Sequence, residues 1–206
     1  MKHPDNIIPE NQQGAKSDNS SSITLSSPEE ALNHFQLCRD RLLRVSQWHS
    51  LAGQASASFT LTDASGRQID RQLQKGDFFK IDIPAPGSDS GEGFDWVQVE
   101  AVEEDVNENE NWEYILVKVC PASNPETPDR STSHFFDENA NSYFLIKRVN
   151  QTVTAEVHGR NELPNTDTET LKDKIRNTVI AIGAMIGISS AQWKSLTEGL
   201  ISKEED

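Results

Sequence analysis

Between about Ala55 and His158 the apolar residues recur at every second position, and turn formers interrupt them at intervals. On either side of that stretch the spacing changes to three and four. A period of two places alternate side chains on one face of a strand, and a period near 3.6 places them on one face of a helix. This change of period, from helix to strand and back, limits the chain to a run of strands flanked by helices. No strand–helix–strand alternation appears, so a doubly wound parallel sheet is not expected.

The leading helix starts at "SSPEEALNHFQLCRDRLLRVSQWHSLAG". Ser27 caps its first turn, Pro28 suits the first helical position and Glu30 completes a capping box. Ala31, Phe35, Cys38, Leu42 and Val45 form the apolar stripe, Leu32, Leu43 and Trp48 widen it, and Gly53 stops it. The strands that follow are "ASASFTLTD", a weaker return "RQIDRQL", "FFKIDI", "FDWVQVEAVEEDV", "EYILVKVC", "SYFLIKRV" and "QTVTAEVH". Acidic "NENEN" and Asn150 mark two antiparallel hairpins. A long helix follows, capped by Thr166 or Asp167, with Leu171, Ile175, Val179, Ile182 and Ile186 as its stripe. A shorter last helix, capped by Ser189 or Ser190, buries Trp193, Leu196 and Leu200.

The expected fold is therefore α+β: an N-terminal helix and a curved antiparallel sheet or partly open barrel of about six to seven strands. The long C-terminal helix and the shorter last one pack against it. This order of elements resembles that of lipid-carrier helix-grip folds and of strongly bent barrels closed by a helix. The resemblance is one of element order, with no shared motif. Residues 1–24, rich in Asn, Gln and Ser without apolar period, are expected to be a disordered tail. Residues 25–203 would form one domain.

Asp and Glu outnumber Lys and Arg by 33 to 19, a net charge of −14, and no basic run occurs. Phosphate-backbone binding needs clustered Lys and Arg, so neither nucleic acid nor an anionic membrane is an expected partner. The amino terminus lacks the apolar core of a secretory signal. The most apolar stretch, Ile175 to Ile188, is too short to span a bilayer, and a cytoplasmic protein is expected. Cys38 falls on a helix stripe and Cys120 ends a strand, which reads as two buried thiols, although spacing does not exclude one disulfide.

Chemistry-bearing residues cluster in three places. The Gly-rich connection Pro84 to Trp96 lacks the lysine of a phosphate loop, and Asp89, Glu92 and Asp95 lack calcium-loop spacing. It reads as a hairpin connection long enough to act as a lid. The loop Pro121 to Asn141 holds Asp129, Ser131, Ser133, His134 and Asp137, the residue types of a nucleophilic triad. They are close in sequence rather than drawn from separate segments, and no G-x-S-x-G pattern occurs. His134, Asp137, Glu156 and His158 lack the paired spacing of a metal site, and none is expected, nor any cofactor.

The third place is "AEVHGRNELPNTDTE", Ala155 to Glu169. Glu156 and His158 project from one strand face, where a carboxylate can orient an imidazole for base chemistry. Arg160 can hold a carboxylate or phosphate in a bidentate fork. The simpler reading is a strand end, a turn and a helix cap.

The expected function is non-catalytic: a carrier or sensor of a small apolar or amphipathic ligand, held in a cavity between the sheet and the C-terminal helix. The expected liners are Trp96, Trp112, Tyr114, Tyr143, His158 and Arg160, with the Pro84 and Pro121 loops at the mouth. One alternative is a protein-interaction module whose acidic hairpin, Glu103 to Glu113, meets a basic partner. The other is an enzyme using His158 with Glu156.

Overall fold

A computed structural model describes residues 3–53, 57–82, 92–163, 165 and 190–203. The architecture is α+β. One open antiparallel sheet of seven strands is packed on one face by N-terminal helices and a C-terminal helix. The strands are β1 (Ala15–Thr24), β2 (Ser58–Thr62), β3 (Phe78–Asp82), β4 (Asp95–Asn107), β5 (Trp112–Pro121), β6 (Asn141–Val149) and β7 (Thr152–Glu162). They lie in the order β1-β7-β6-β5-β4-β3-β2. The long helix expected over Leu171 to Ile186, and most of the Gly-rich connection after β3, lie outside the described residues.

Strand β1 overturns the expectation of a disordered tail. Residues 15–24 pair with β7 along their length, and a 3-10 turn at Pro4–Asn6 precedes them. Apolar alternation could not reveal β1 because little of its stabilisation is apolar. The ladder with β7 is supplemented by hydroxyl pairs, Ser22 Oγ to Thr154 Oγ1 at 3.0 Å and Thr24 Oγ1 to Thr152 Oγ1 at 3.1 Å. Cross-strand pairs of that kind suit a solvated sheet edge.

Helix α1 (Pro28–Leu43) begins as expected. Ser27 Oγ accepts the Glu30 N–H at 3.1 Å, and the Glu30 carboxylate reaches back to Ser26. It stops at Arg44 rather than Gly53, and a 3-10 turn (Val45–Gln47) leads into the short α2 (Trp48–Ala52). The break re-aims Trp48, whose indole N–H donates to Leu42 O at 3.1 Å. The indole then packs on Phe59, Phe79 and Phe144. "RQIDRQL" does not form a return strand beyond one Thr62–Gln68 bridge. Arg71 instead clamps Asp77 with two 2.7 Å bonds, and Leu73 N–H donates to Leu43 O.

Helix α3 (residues 190–201) lies across the same face of the sheet. Leu196 and Leu200 are buried, Trp193 packs on Phe59 and Phe144, and Thr197 shares a 2.8 Å bond with Ser21. The main core is thus the helix-facing side of the sheet. A second apolar cluster of Trp112, Tyr114, Leu116, Tyr143 and Leu145 occupies the opposite, outer face.

Candidate functional site

Strand alternation sorts the expected liners, and it places them away from the helices. On β5, Ile115, Val117 and Val119 join the main core, whereas Trp112, Tyr114 and Leu116 form the outer cluster. On β6, Phe144 and Ile146 face the helices while Tyr143 and Leu145 face outward. On β7, Val153, Ala155 and Val157 belong to the core, so His158 and Arg160 take the other side. Trp96 alternates with Val97 and is buried beside the loop after β5. Its backbone N–H donates to Ser133 O and its carbonyl accepts the Ala122 N–H.

The outer face is covered by the chain's own amino-terminal segment, residues 3–14. Ile7 and Ile8 pack on the aromatic cluster, and His3 meets Trp112 edge-on. Lys147 donates to Asp5 at 2.6 Å, and the Asn161 carboxamide accepts the Gln12 N–H. Arg160 has no fork to spare. Its Nε donates to Pro9 O at 2.9 Å, Nη1 to Ser17 O and Gly159 O, and Nη2 pairs with Asp18 at 2.7 Å.

Glu156 and His158 do meet, with Oε2 to Nε2 at 2.9 Å, but His158 Nδ1 lies 2.6 Å from Asp18 Oδ1. Both ring nitrogens are therefore occupied by carboxylates, and neither is turned toward open space where a substrate could meet it. Burial alone would raise the Glu156 carboxyl, but hydrogen bonds from His158 and Lys147 hold it below its usual range. Asp18 is lowered in the same way, by His158 and Arg160 against its own desolvation. The cluster is a structural tie between β7, β1 and the amino-terminal segment.

The loop after β5 assembles no triad. Ser133 Oγ accepts from Asn124 N–H, His134 Nδ1 accepts from Phe136 N–H, and Asp129 and Asp137 accept from backbone two residues on. Burial pushes His134 down to about 3, so the ring stays neutral. Ser133 wedges between the ends of β4 and β5, and Asn165 holds Thr132 O and His134 O. Both cysteines are free thiols, raised by burial to about 12 at Cys38 and about 11 at Cys120.

A different set of residues stands on the helix-facing side. Ser17, Gly159, Ser142 and Val119 are successive cross-strand neighbours over β1, β7, β6 and β5. All four fall in phase with core-facing residues, and none is larger than valine. Asp95 opens β4 in phase with Val97 and Val99, opposite Ile81 of β3. It is 2 % exposed, and Phe135 N–H is the donor to its carboxyl. Burial pushes that carboxyl up to about 7, and its Oδ1 has no hydrogen-bond partner among the described residues.

Within the row, a Cβ on Gly159 would collide with the Glu162 carboxylate, so the glycine is what lets Glu162 fold over the sheet. Glu162 Oε1 accepts from Ser17 Oγ at 2.9 Å, Oε2 is buried without a partner among the described residues, and desolvation raises the group. In the sequence Asp95 stands out only as a carboxylate without calcium-loop spacing, at the start of an expected strand. The signal was its phase with Val97 and Val99.

No protein-family model and no curated protein sequence matches the chain. Solved structures similar to it include a hypothetical protein of Helicobacter pylori, 12% identical over 96% of this chain and 94% of that one, at a TM-score of 0.46. Another is the major latex-like protein 151 of Panax ginseng, 10% identical over 91% and 97%, at 0.39. A third is the norcoclaurine synthase of Thalictrum flavum, 7% identical over 96% and 97%, at 0.38. Among the described residues no helix is long and apolar enough to cross a membrane.

Proposed function

We propose that this protein is a carrier or sensor of a small apolar or amphipathic molecule, held between the helix-facing side of the sheet and the C-terminal helical segment. The observation that carries the reading is the row Ser17, Gly159, Ser142 and Val119. Small side chains there adjoin the bulky aromatic cluster of Trp48, Phe59, Phe79, Phe144 and Trp193. Among the described residues, large groups fill the middle of that face, while the row itself contributes little side-chain volume. Apolar walls with a few polar atoms are the usual make-up of a ligand pocket.

The outer-face residues are not the liners in this reading, because the chain's own amino-terminal segment occupies them. The acidic hairpin gives the interaction alternative little support. Glu104 pairs with Arg39, Glu113 with Arg148, and Glu110 accepts from the Trp112 indole. Native mass spectrometry of the protein from its own host tests the reading. The expected spectrum shows a small molecule retained in the native state and released on denaturation. A bare chain that also fails to take up N-phenyl-1-naphthylamine overturns it.

A further inference from the structure

We infer that the ligand presents a hydrogen-bond donor, an amine or a hydroxyl, to Asp95 and that the site discriminates against carboxylates. The inference rests on the cavity reading above and adds the chemical class of its occupant. Buried polar atoms in native proteins are nearly always paired, so an orphan marks a place where a partner comes from elsewhere. Among the described residues Asp95 Oδ1 is such an orphan, on a side chain 2 % exposed and in phase with core valines. Its other carboxyl interaction, with Phe135 N–H, fixes its direction without satisfying it.

Glu162 repeats the pattern over the small-residue row itself, beside Gly159. Ser17 satisfies one oxygen and leaves the other buried and unpaired among the described residues. β4 and β7 are three strand spacings apart, so their backbones stand roughly 14 Å from one another. Both carboxyls of the proposed site therefore offer acceptor oxygens. A fatty-acid head group would bring a third carboxylate against them, and like charges in a desolvated site repel. An ammonium or hydroxyl supplies the missing donor. Specificity of this kind comes from the group left unpaired when the wrong ligand binds.

The test is displacement of N-phenyl-1-naphthylamine by dodecylamine, dodecanol and dodecanoic acid, each below its aggregation limit, with the full chain at pH 8. The amine and the alcohol are expected to displace the probe at concentrations at least tenfold below the acid. Asp95→Asn and Glu162→Gln, each checked for a native circular dichroism spectrum, are expected to narrow that preference to within threefold when combined. Equal displacement by acid and amine in the unmodified chain overturns the inference and leaves the cavity reading standing. An undiminished preference in the double variant overturns it as well, by removing these carboxyls as its cause. Failure of the probe itself to bind sinks the cavity reading, and this inference with it.

Discussion

Arg160 Nε lies 2.9 Å from the carbonyl oxygen of Pro9, a contact across 151 positions of sequence that joins the last strand to the amino-terminal segment. With the Ser17 and Gly159 carbonyls and the Asp18 carboxylate on the same guanidinium, it fixes β1 and the covering segment together. Arg160→Ala is therefore expected to lower stability by about 2–3 kcal/mol, since it strands buried acceptors of charged hydrogen bonds. Urea denaturation gives the magnitude, and hydrogen exchange should show lost protection in residues 3–24. Unchanged protection there would mean that the segment is held without Arg160.

Removal of residues 1–14 tests what that segment covers. Trp112, Tyr114 and Tyr143 are buried on the outer face beneath Ile7 and Ile8. The shortened chain is expected to keep its far-ultraviolet spectrum and to show red-shifted tryptophan emission and new binding of an apolar dye. An apolar patch uncovered in this way also favours self-association. Emission unchanged from the full chain would show that the cluster is protected by other elements.

Two buried groups impose opposite pH dependences. Asp95 titrates at about 7 when folded because burial penalises its charge, against 3.8 for the unsupported group. Its contribution to stability is present below about pH 4 and is lost as pH rises through 7, a swing on the order of 4 kcal/mol. Asp95→Asn should therefore gain on the parent chain as pH climbs from 4 to 8. His134 is displaced downward, to about 3 from 6.5, again by desolvation. Its contribution is present above about pH 6.5 and is lost as pH falls toward 3, so His134→Asn should gain on the parent as pH drops from 7 to 4. Denaturation midpoints over that range check both signs, and a flat difference for either variant refutes the corresponding assignment.

Ser142 discriminates between a filled and an unfilled face. Overpacking a close-packed core costs about 1–3 kcal/mol, whereas a side chain that enters empty apolar space costs little or stabilises. Ser142→Leu is expected to leave the melting temperature unchanged or higher and to weaken N-phenyl-1-naphthylamine binding at least tenfold. A drop in melting temperature with undiminished probe binding would place the site elsewhere.

The elements legible in the chain were those whose stabilisation is apolar and local. Ser27, Pro28 and Glu30 announced α1, and the alternation through β4 to β7 announced both hairpins, because burial of one face imposes a period on the sequence. Strand β1 left no such trace. Serine and threonine hydroxyls and a backbone ladder hold it, and their partners are more than a hundred positions away. The expected liners were chosen for their side-chain types, and type says nothing of which face of a two-sided sheet meets the helices.

By itself, the sequence determined the class of the fold, the placing of α1 and of strands β4 to β7, and the meeting of Glu156 with His158, since spacing along one strand or helix decides those. Only the tertiary structure decided that Trp112, Tyr143 and Arg160 hold the chain's own amino terminus. It alone brought Asp95, Ser142, Gly159 and Glu162 to one side of the sheet. Register between strands distant in sequence, and the choice of which sheet face the helices cover, arise from long-range packing that no local period encodes.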